Sequence, residues 1–261
     1  MNILVCIKRV PDTGARFELR PGEKAIETRN LGFTISPHEE CAVEEAVRLI
    51  ERLGGSGAVL TLGPPDAENQ LRDSMARGMD RGILLETDGG EWDPGQTASA
   101  IVDTIHTQET LGNRFDLYLF GNESADSGDY QVRIRVAHAL DLPCVCGIKK
   151  LEIRDGKVIA RRESATGWEI YEVSPPAVLT VKEGLNLPRH PSLRGTMTAK
   201  KKPVERLRPN RGSAGLEMIR LKLPQDQGSA AAMLGEGKEA VPRIIEILEA
   251  LEILQDGPRF R

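Results

Sequence analysis

Residues 58–85, AVLTLGPPDAENQLRDSMARGMDRGILL, contain a complete strand–helix–strand unit. The apolar run 58–62 is predicted to be a strand, and the Gly-Pro-Pro sequence at 63–65 ends it with a turn. A helix is predicted near 66–77, and a short second strand follows at 83–85. Because strands joined through a helix run in the same direction, this unit predicts a parallel sheet.

The same alternation extends along the chain on both sides of this unit. An aliphatic strand is predicted at 3–7, and a helix begins at Ser36, which forms a capping-box pattern with Pro37 and Glu39. We therefore predict an α/β fold with a mostly parallel sheet and helices on both faces. The further predicted elements are a helix at 94–108, a strand at 117–120, a polar loop at 121–129 and a helix at 130–140.

The pattern changes after Leu142. A hairpin with Asp155-Gly156 at its turn and two more strands, 168–173 and 177–181, predict a mixed sheet edge. The stretch 183–202 lacks periodicity, and a long segment without regular structure is usually functional or disordered. The remaining predictions are a loop-like region and a last amphipathic helix, at 209–237 and 242–254.

Composition excludes several classes of protein. The 261 residues carry a formal net charge of -4, and aromatic residues make up 4% of them, too few to stack on single-stranded nucleic acid. No apolar run approaches the roughly 20 residues that span a bilayer. The N-terminus also lacks a charged leader. We therefore expect a cytoplasmic protein that is not itself a membrane protein.

Four cysteines, Cys6, Cys41, Cys144 and Cys146, are too few and too scattered for a secreted disulfide framework. The thiols of Cys144 and Cys146 are expected on opposite faces of a strand, which argues against joint metal ligation. We therefore predict reduced, packed thiols and no metal site.

The polar loop 121–129 is the strongest candidate for a binding site. Ligands of parallel sheets lie at the carboxyl ends of the strands, and the loops after Ile7 and Leu62 share this edge. Free amides at the start of the helix that follows would bind phosphate. The alternative is a helix capped by Asp129, which needs no ligand.

The charged residues near this loop give evidence both for and against a bound anion. Arg133 and Arg135 lie in the first turns of the following helix, where a cation opposes the helix dipole, so their placement favours a bound anion. Asp126 and Asp129 would repel phosphate unless their carboxylates point away. The sequence contains neither a P-loop nor a Gly-x-Gly-x-x-Gly pattern.

Catalytic patterns are absent from the sequence. The four histidines are isolated, and only His38 and His190 are predicted at cap or loop positions where they could contact a ligand. There is no Cys-x-x-Cys, no His-x-x-x-His and no Gly-x-Ser-x-Gly elbow, so the sequence favours a binding protein over an enzyme. The basic run, 200–211, is expected to be a solvated loop or to steer an acidic protein partner, rather than to bind nucleic acid.

Residues 186–203, NLPRHPSLRGTMTAKKKP, resemble the signature of electron transfer flavoprotein beta subunits, approximately Asn-x-Pro-Arg followed by Ser/Thr-Leu and Met-x-Ala-Lys-Lys-Lys. Three more stretches look like the same family in the same order. They are VCIKRVPD from Val5, AVEEAVRL from Ala42 and MDRG from Met79. The likeness covers roughly residues 1–208.

This resemblance implies a heterodimer with an alpha subunit that carries the redox-active FAD. The beta subunit is implied to be an electron carrier rather than an enzyme, with an adenine nucleotide hydrolase-like fold over 1–208 and a C-terminal arm, 209–261, on the partner. Its own nucleotide is AMP in most members and a second FAD in electron-bifurcating members. Dehydrogenases are implied to dock on it, and electrons pass on to a membrane quinone oxidoreductase or another acceptor.

The resemblance also implies individual site residues. Leu193 is implied to anchor a recognition loop, 183–202, on partner dehydrogenases, with Arg189 and His190 beside it. Thr13 and His38 match positions that approach the alpha-subunit flavin. The residues implied to surround the adenine nucleotide are Cys6, Ser36, Pro37, His38, Glu39, Leu62, Gly121, Asn122, Asp126, Ser127, Gly128, Asp129, Gln131, Val132 and Arg133.

The chain departs from the family pattern at this nucleotide site. Members usually carry Gln-(Thr/Val)-Gly after the acidic loop, whereas this chain has Gln131-Val132-Arg133. This chain therefore lacks a hydroxyl that contacts phosphate in family members. We expect backbone amides and Arg133 to hold the phosphate instead. The alternative is that the site is altered or empty. AMP is favoured over a second FAD, because arginine side chains leave less room. A nucleotide-hydrolysing enzyme of the same fold is the alternative of another class.

Overall fold

The computed structural model describes residues 1–224 and 232–254. The chain divides into two compact units, Met1–Leu221 and Lys222–Arg261. The first unit contains every strand of the described residues.

The described strands and helices follow the predicted alternation. In chain order, the strands are β1 (Asn2–Cys6), β2 (Val10–Pro11), β3 (Phe33–Thr34), β4 (Ser56–Gly63), β5 (Arg81–Glu86), β6 (Leu117–Gly121), β7 (Cys144–Arg154), β8 (Lys157–Ser164), β9 (Gly167–Val173), β10 (Ala177–Val181) and β11 (Val204–Leu207). The helices are α1 (Pro37–Leu53), α2 (Glu68–Arg77), α3 (Pro94–Thr110), α4 (Val132–Ala139), α5 (Leu193–Ala199) and α6 (Val241–Ala250).

Within the described residues, one sheet contains nine strands in the order β11-β5-β4-β1-β6-β10-β7-β8-β9. All neighbours from β11 to β7 are parallel, and β7, β8 and β9 form an antiparallel meander at the far edge. The short strands β2 and β3 pair separately. The predicted α/β fold with a mostly parallel sheet is confirmed, and so is its mixed edge.

Two apolar clusters cover the two faces of the sheet. Along β1, Ile3 and Val5 belong to one cluster, and Leu4 and Cys6 belong to the other, because successive side chains of a strand alternate between faces. Buried residues of α1, α2 and α5 complete the first cluster, and those of α3 and α4 complete the second. Helices therefore lie on both faces, as predicted.

The start of α1 has the predicted capping box. Ser36 Oγ accepts a hydrogen bond from the Glu39 amide at 3.2 Å, and Glu39 Oε2 accepts one from the Ser36 amide at 2.9 Å. Asp93 and Gln96 form a second capping box at the start of α3, which was not predicted from the sequence. Both boxes satisfy amide groups that a helix start leaves without partners.

Several sequence predictions were wrong in detail. The stretch 183–202 is not without regular structure, because Ser192 caps α5 there by accepting from the Gly195 amide at 3.0 Å. β10 lies inside the sheet rather than at its edge, and β11 was not predicted. Parts of the predicted C-terminal arm, 225–231 and 255–261, lie outside the described residues.

Two residues of the basic run 200–211 make contacts within the fold that were not expected. Lys202 Nζ donates to the carbonyl oxygens of Met75 at 2.9 Å and Met79 at 2.7 Å, beside the C-terminal end of α2, where a cation is favourable. Arg206 pairs with Glu86 at 2.7 Å. The expectation of a wholly solvated loop is therefore wrong. None of the helices in the described part of the chain is long and apolar enough to cross a membrane.

Candidate functional site

The candidate site lies where β1, β6 and β10 end. Cys6 is level with Phe120 in the sheet, and Phe120 is level with Thr180, so three strand ends open onto the same edge. The chain passes to β4 on one side of β1 and later to β6 on the other side. Ligands of open α/β sheets bind at such a switch point, and the N-terminus of α1 and the loop 121–129 border this one.

Glu39 joins the strand end to the start of α1. Its Oε1 accepts a hydrogen bond from the Lys8 amide at 2.9 Å, while Oε2 accepts from the Ser36 amide. Burial raises the pKa of the Glu39 carboxyl to about 8, although the hydrogen bonds from Ser36 and Lys8 act in the opposite direction. The buried Glu39 carboxyl therefore links two backbone segments, the one that follows β1 at Lys8 and the one that precedes α1 at Ser36.

We expect the Glu39→Gln substitution to change how stability depends on pH. An acid whose pKa is higher in the folded than in the unfolded protein destabilises the fold progressively as pH rises between those two values. From pH 5 to pH 7, wild type should lose roughly 2 kcal/mol relative to Glu39→Gln, since one pKa unit corresponds to about 1.4 kcal/mol. Urea denaturation at the two pH values measures this difference, and a constant offset would contradict the prediction.

Gly121 allows the strand end to lie directly against α1. A Cβ built at Gly121 would lie 2.6 Å from Glu39 Cγ, 3.2 Å from Glu39 N and 3.3 Å from His38 Cβ. Any larger residue would therefore push β6 away from the capping box. The absence of a side chain here has a clear steric reason.

The Gly121→Ala substitution should lower the free energy of unfolding by about 1–2 kcal/mol, as other overpacked sites do. The matched control is Gly212→Ala, because a Cβ at Gly212 meets no heavy atom within 4 Å. We expect the control to change stability by less than about 0.5 kcal/mol. Equal midpoints for the two variants in thermal or urea denaturation would show that Gly121 is not sterically constrained.

Two of the three acidic side chains of the loop lie beside basic side chains of the chain. Lys8 Nζ lies 2.7 Å from Asp126 Oδ2, and His38 Nε2 lies 3.3 Å from Glu123 Oε1. His38 also accepts a hydrogen bond at Nδ1 from the Glu183 amide at 2.8 Å. These contacts reduce the repulsion that the loop carboxylates would exert on an anion.

The start of α4 differs from the prediction. Asp129 is not its N-cap. The N-cap is Gln131, whose side chain makes no capping hydrogen bond, and Asp129 Oδ1 instead accepts from the Gln131 amide at 3.3 Å. The first amides of α4 therefore lack a side-chain cap, and such amides with the helix dipole behind them suit an anion.

Arg133 projects from this first turn of α4 and is buried, with 6% of its surface exposed. Its guanidinium carbon lies 5.2 Å from the centre of the Tyr130 ring. Its buried Nε has no hydrogen-bond partner among the described residues. A buried charged donor without a partner is costly, and a bound anion would satisfy it.

A hydrogen-bond chain links the loop to β10 and β7. Thr180 Oγ1 donates to Asn122 Oδ1 at 3.3 Å and accepts from the Gly147 amide at 2.7 Å. The neighbouring thiols of Cys144 and Cys146 lie 3.6 Å apart. The expectation that they point to opposite faces was wrong, because residues two apart along a strand share a face.

The structure joins seven of the fifteen implied nucleotide residues at this edge. Two other implied residues, Cys6 of the nucleotide set and Thr13 of the flavin set, differ in their exposure. Cys6 is buried in the apolar core, and burial raises the pKa of its thiol. Thr13 is exposed in the turn after β2. The residues that the contacts join at the edge are Ser36, His38, Glu39, Gly121, Asn122, Asp126 and Ser127.

Two residues that organise the edge, Lys8 and Thr180, were missed as site residues, and a third, Glu123, was predicted only as part of the loop 121–129. Lys8 follows β1 directly, and its position after a predicted strand was an available signal. Glu123 lies within the predicted loop, but its pairing with His38 has no signature in the sequence. Thr180 lies within a buried strand, and nothing in the sequence distinguishes it from a core residue.

The implied docking residues lie elsewhere, on the segment that contains α5. Leu193 is 80% exposed and His190 is exposed. Arg189 is held within the chain, since its Nε lies 2.9 Å from Glu44 Oε2 and its Nη1 lies 2.6 Å from Glu51 Oε1. This arrangement fixes the segment on α1 and leaves Leu193 facing outward.

The chain also matches a known protein family. A family model described as the electron transfer flavoprotein domain matches residues 24–211. The chain belongs to the electron transfer flavoprotein family. The resemblance deduced from the sequence motifs is thereby confirmed.

Similarity to individual members of the electron transfer flavoprotein family extends along almost the whole chain. The chain is 34% identical over 259 residues to the electron transfer flavoprotein subunit beta of Bacillus subtilis, covering 96% of this chain and 98% of that protein. It is 33% identical to the subunit beta of Thermoanaerobacterium thermosaccharolyticum, with 97% and 100% covered. A subunit beta from Mycobacterium tuberculosis is 35% identical over 209 residues, with 78% and 77% covered.

Proposed function

We propose that this chain is the beta subunit of an electron transfer flavoprotein heterodimer and binds AMP at the carboxyl edge of its sheet. The alpha subunit carries the FAD, which supplies the redox chemistry when bound. The beta chain orients that subunit and docks the dehydrogenases that donate electrons. A membrane quinone oxidoreductase is the proposed acceptor.

The observation that supports AMP binding is the buried guanidinium of Arg133. Its Nε has no partner among the described residues, and it lies beside the first amides of α4, which no side chain caps. A phosphate monoester provides acceptor oxygens for both groups at once. Arg133, which stands where family members usually carry glycine, would thus take over the phosphate contact of the hydroxyl that is missing at Val132.

The pairing of charged side chains along the rest of the edge, and the close packing at Gly121, also support the proposal. Lys8 neutralises Asp126, and His38 lies beside Glu123, so the local carboxylates are engaged before a phosphate arrives. Gly121 allows the loop to lie against the N-terminus of α1. The same elements therefore position both the loop and the helix start.

The test is to coexpress the chain with its alpha partner, purify the complex and identify the nucleotides that it releases on denaturation. We expect one FAD and one AMP per heterodimer. Two FAD per heterodimer would overturn the assignment of AMP and indicate a bifurcating member. A folded complex without flavin absorbance would overturn the electron-carrier proposal itself.

Docking of dehydrogenases is proposed for the outer surface of the α5 segment. Leu187, Leu193 and Met197 are all exposed there, while Arg189 fixes the segment to the body of the protein. Exposed apolar side chains on a fixed support are suited to a transient protein contact.

The Leu193→Ala substitution should slow electron transfer from the dehydrogenase about tenfold in kcat/KM, the effect of losing about 1.4 kcal/mol of contact energy. Flavin content and released AMP should match those of wild type, because Leu193 lies outside the nucleotide edge. The control is Leu111→Ala, which removes an exposed leucine located after α3. A wild-type rate for Leu193→Ala would exclude this segment from docking.

A further inference from the structure

The two cysteines of β7 form a close pair at the border of the nucleotide edge. Their sulfur atoms lie 3.6 Å apart, Cys144 is exposed and Cys146 is partly exposed. Cys6 and Cys41, in contrast, are buried. Small reagents therefore have access to this pair and not to the other two thiols.

The backbone at this pair permits a covalent link. Two residues along a strand span about 6.4–6.8 Å, which lies at the upper end of the usual Cα separation of disulfides, about 4.4–6.8 Å. Gly147 follows directly with φ +71, and the pairing of β7 with β10 shifts register between Leu179 and Val181. This irregular part of the strand allows the small adjustment that a sulfur–sulfur bond requires.

The surroundings of Cys144 and Cys146 shift the pKa values of the two thiols in opposite directions. The hydrogen bond with Cys144 lowers the pKa of the Cys146 thiol to about 6, and the Arg133 guanidinium acts in the same direction. The pKa of Cys144 is raised, first by that same hydrogen bond and then by burial. Cys146 therefore supplies the thiolate at neutral pH, and Cys144 supplies the second thiol.

We propose that Cys144 and Cys146 are a redox-responsive dithiol that forms a reversible disulfide within the chain. The Cys146 thiolate attacks a small disulfide, forming a mixed disulfide and releasing one small thiolate. Cys144 then loses its proton to solvent and attacks the Cys146 sulfur, which releases the second small thiolate, and this thiolate takes up a proton from solvent. The cysteines give up two electrons in total, and the small disulfide accepts them. An exposed disulfide over so short a loop is readily reduced again.

Formation of the disulfide would change the charge beside Arg133. The reduced pair offers that guanidinium a thiolate, whereas the disulfide is neutral. Oxidation should therefore free Arg133 from its hydrogen bond with Cys146 and tighten AMP binding about threefold, within the range expected for the net effect of one hydrogen bond. This consequence rests on the proposed function, but disulfide formation does not.

The test uses the purified heterodimer incubated with oxidised glutathione. Trypsin should release residues 136–149, VAHALDLPCVCGIK, which contain both cysteines and no other. Mass spectrometry should show this peptide two hydrogen atoms lighter and without glutathione, and dithiothreitol should restore it. In Cys144→Ser the glutathione should stay attached to Cys146. Free thiols on the wild-type peptide, or two attached glutathiones, would overturn the proposal.

Two further measurements separate the parts of the proposal. In Cys144→Ser the new hydroxyl can still donate to the Cys146 sulfur and Arg133 remains beside it, so the reaction rate should level off at a lower pH than that of Cys146→Ser, which should rise beyond pH 8, as expected for an ordinary thiol. Coinciding profiles would overturn the role given to Cys146. Calorimetry with AMP should show tighter binding to the oxidised than to the reduced heterodimer. Equal affinities, with the disulfide present, would overturn the coupling to Arg133 alone.

Discussion

Replacing Arg133 by alanine should weaken AMP binding to the heterodimer about 100-fold. Removing one partner of a buried charged hydrogen bond costs about 2–5 kcal/mol, and 100-fold corresponds to about 2.7 kcal/mol. Arg133 is buried, and its Nε has no partner among the described residues, so the phosphate would lose its one fixed cation in α4. Isothermal calorimetry on nucleotide-free heterodimer measures this loss directly.

Two controls make the Arg133 result interpretable. Arg135→Ala removes a cation from the same helix, but Arg135 is exposed and donates to Gln131 Oε1 at 2.9 Å, so its AMP affinity should stay within about twofold of wild type. Arg133→Met keeps the length of the side chain without its charge and should reproduce the loss seen with alanine. Wild-type affinity in Arg133→Met would place the phosphate elsewhere.

The Arg189→Ala substitution should destabilise the protein by about 1–2 kcal/mol at neutral pH, less than the loss of one partner of a fully buried ion pair costs, because about a third of the Arg189 side chain is exposed. The side chain of Glu44 is 2% exposed and accepts from both the amide and the Nε of Arg189, at 3.0 and 2.9 Å. Arg48 would remain as the other partner of Glu44. Urea denaturation of wild type and variant gives the difference in free energy of unfolding.

This difference should depend on pH in a defined direction. Burial acts to raise the pKa of Glu44, but the hydrogen bonds from Arg189 and Arg48 outweigh it and lower the pKa. A carboxyl whose pKa is lowered on folding stabilises the fold above its unfolded pKa and loses this effect as pH falls through its folded pKa. The effect of Arg189→Ala should therefore be complete above about pH 5 and shrink below it. Arg194→Ala, an exposed arginine in the same segment, should show neither effect.

The sequence determines the sheet and its helices because local signals agree there. Apolar runs such as 58–62, the capping box at Ser36 and the turn at Gly63 each predict the element that the structure contains. The position of β10 within the sheet depends on pairing across long sequence separations, which no local pattern reports. α5 was missed because its seven residues, about two turns, are too few to show periodicity.

The candidate site was predictable in outline and not in its contacts. The loop 121–129 follows a predicted strand, so the topology alone places it at the ligand-binding edge. The pairing of Lys8 with Asp126, and the exposure of Cys144 beside Cys146, depend on which side chains meet after folding. The error over the two thiols was avoidable, since the period of a strand is two residues.

The position of β10 also has a consequence for biosynthesis. Ala177 of β10 pairs with Leu117 of β6, so about 60 residues must be translated before that edge of β6 finds its partner. At about 5–20 residues per second this takes on the order of 3–12 s. During that interval the nascent chain presents an unpaired edge of an apolar strand, which is a template for aggregation. Ribosomal pausing between β6 and β10 should therefore lower the yield of soluble protein, and a chaperone that shields β6 should restore it.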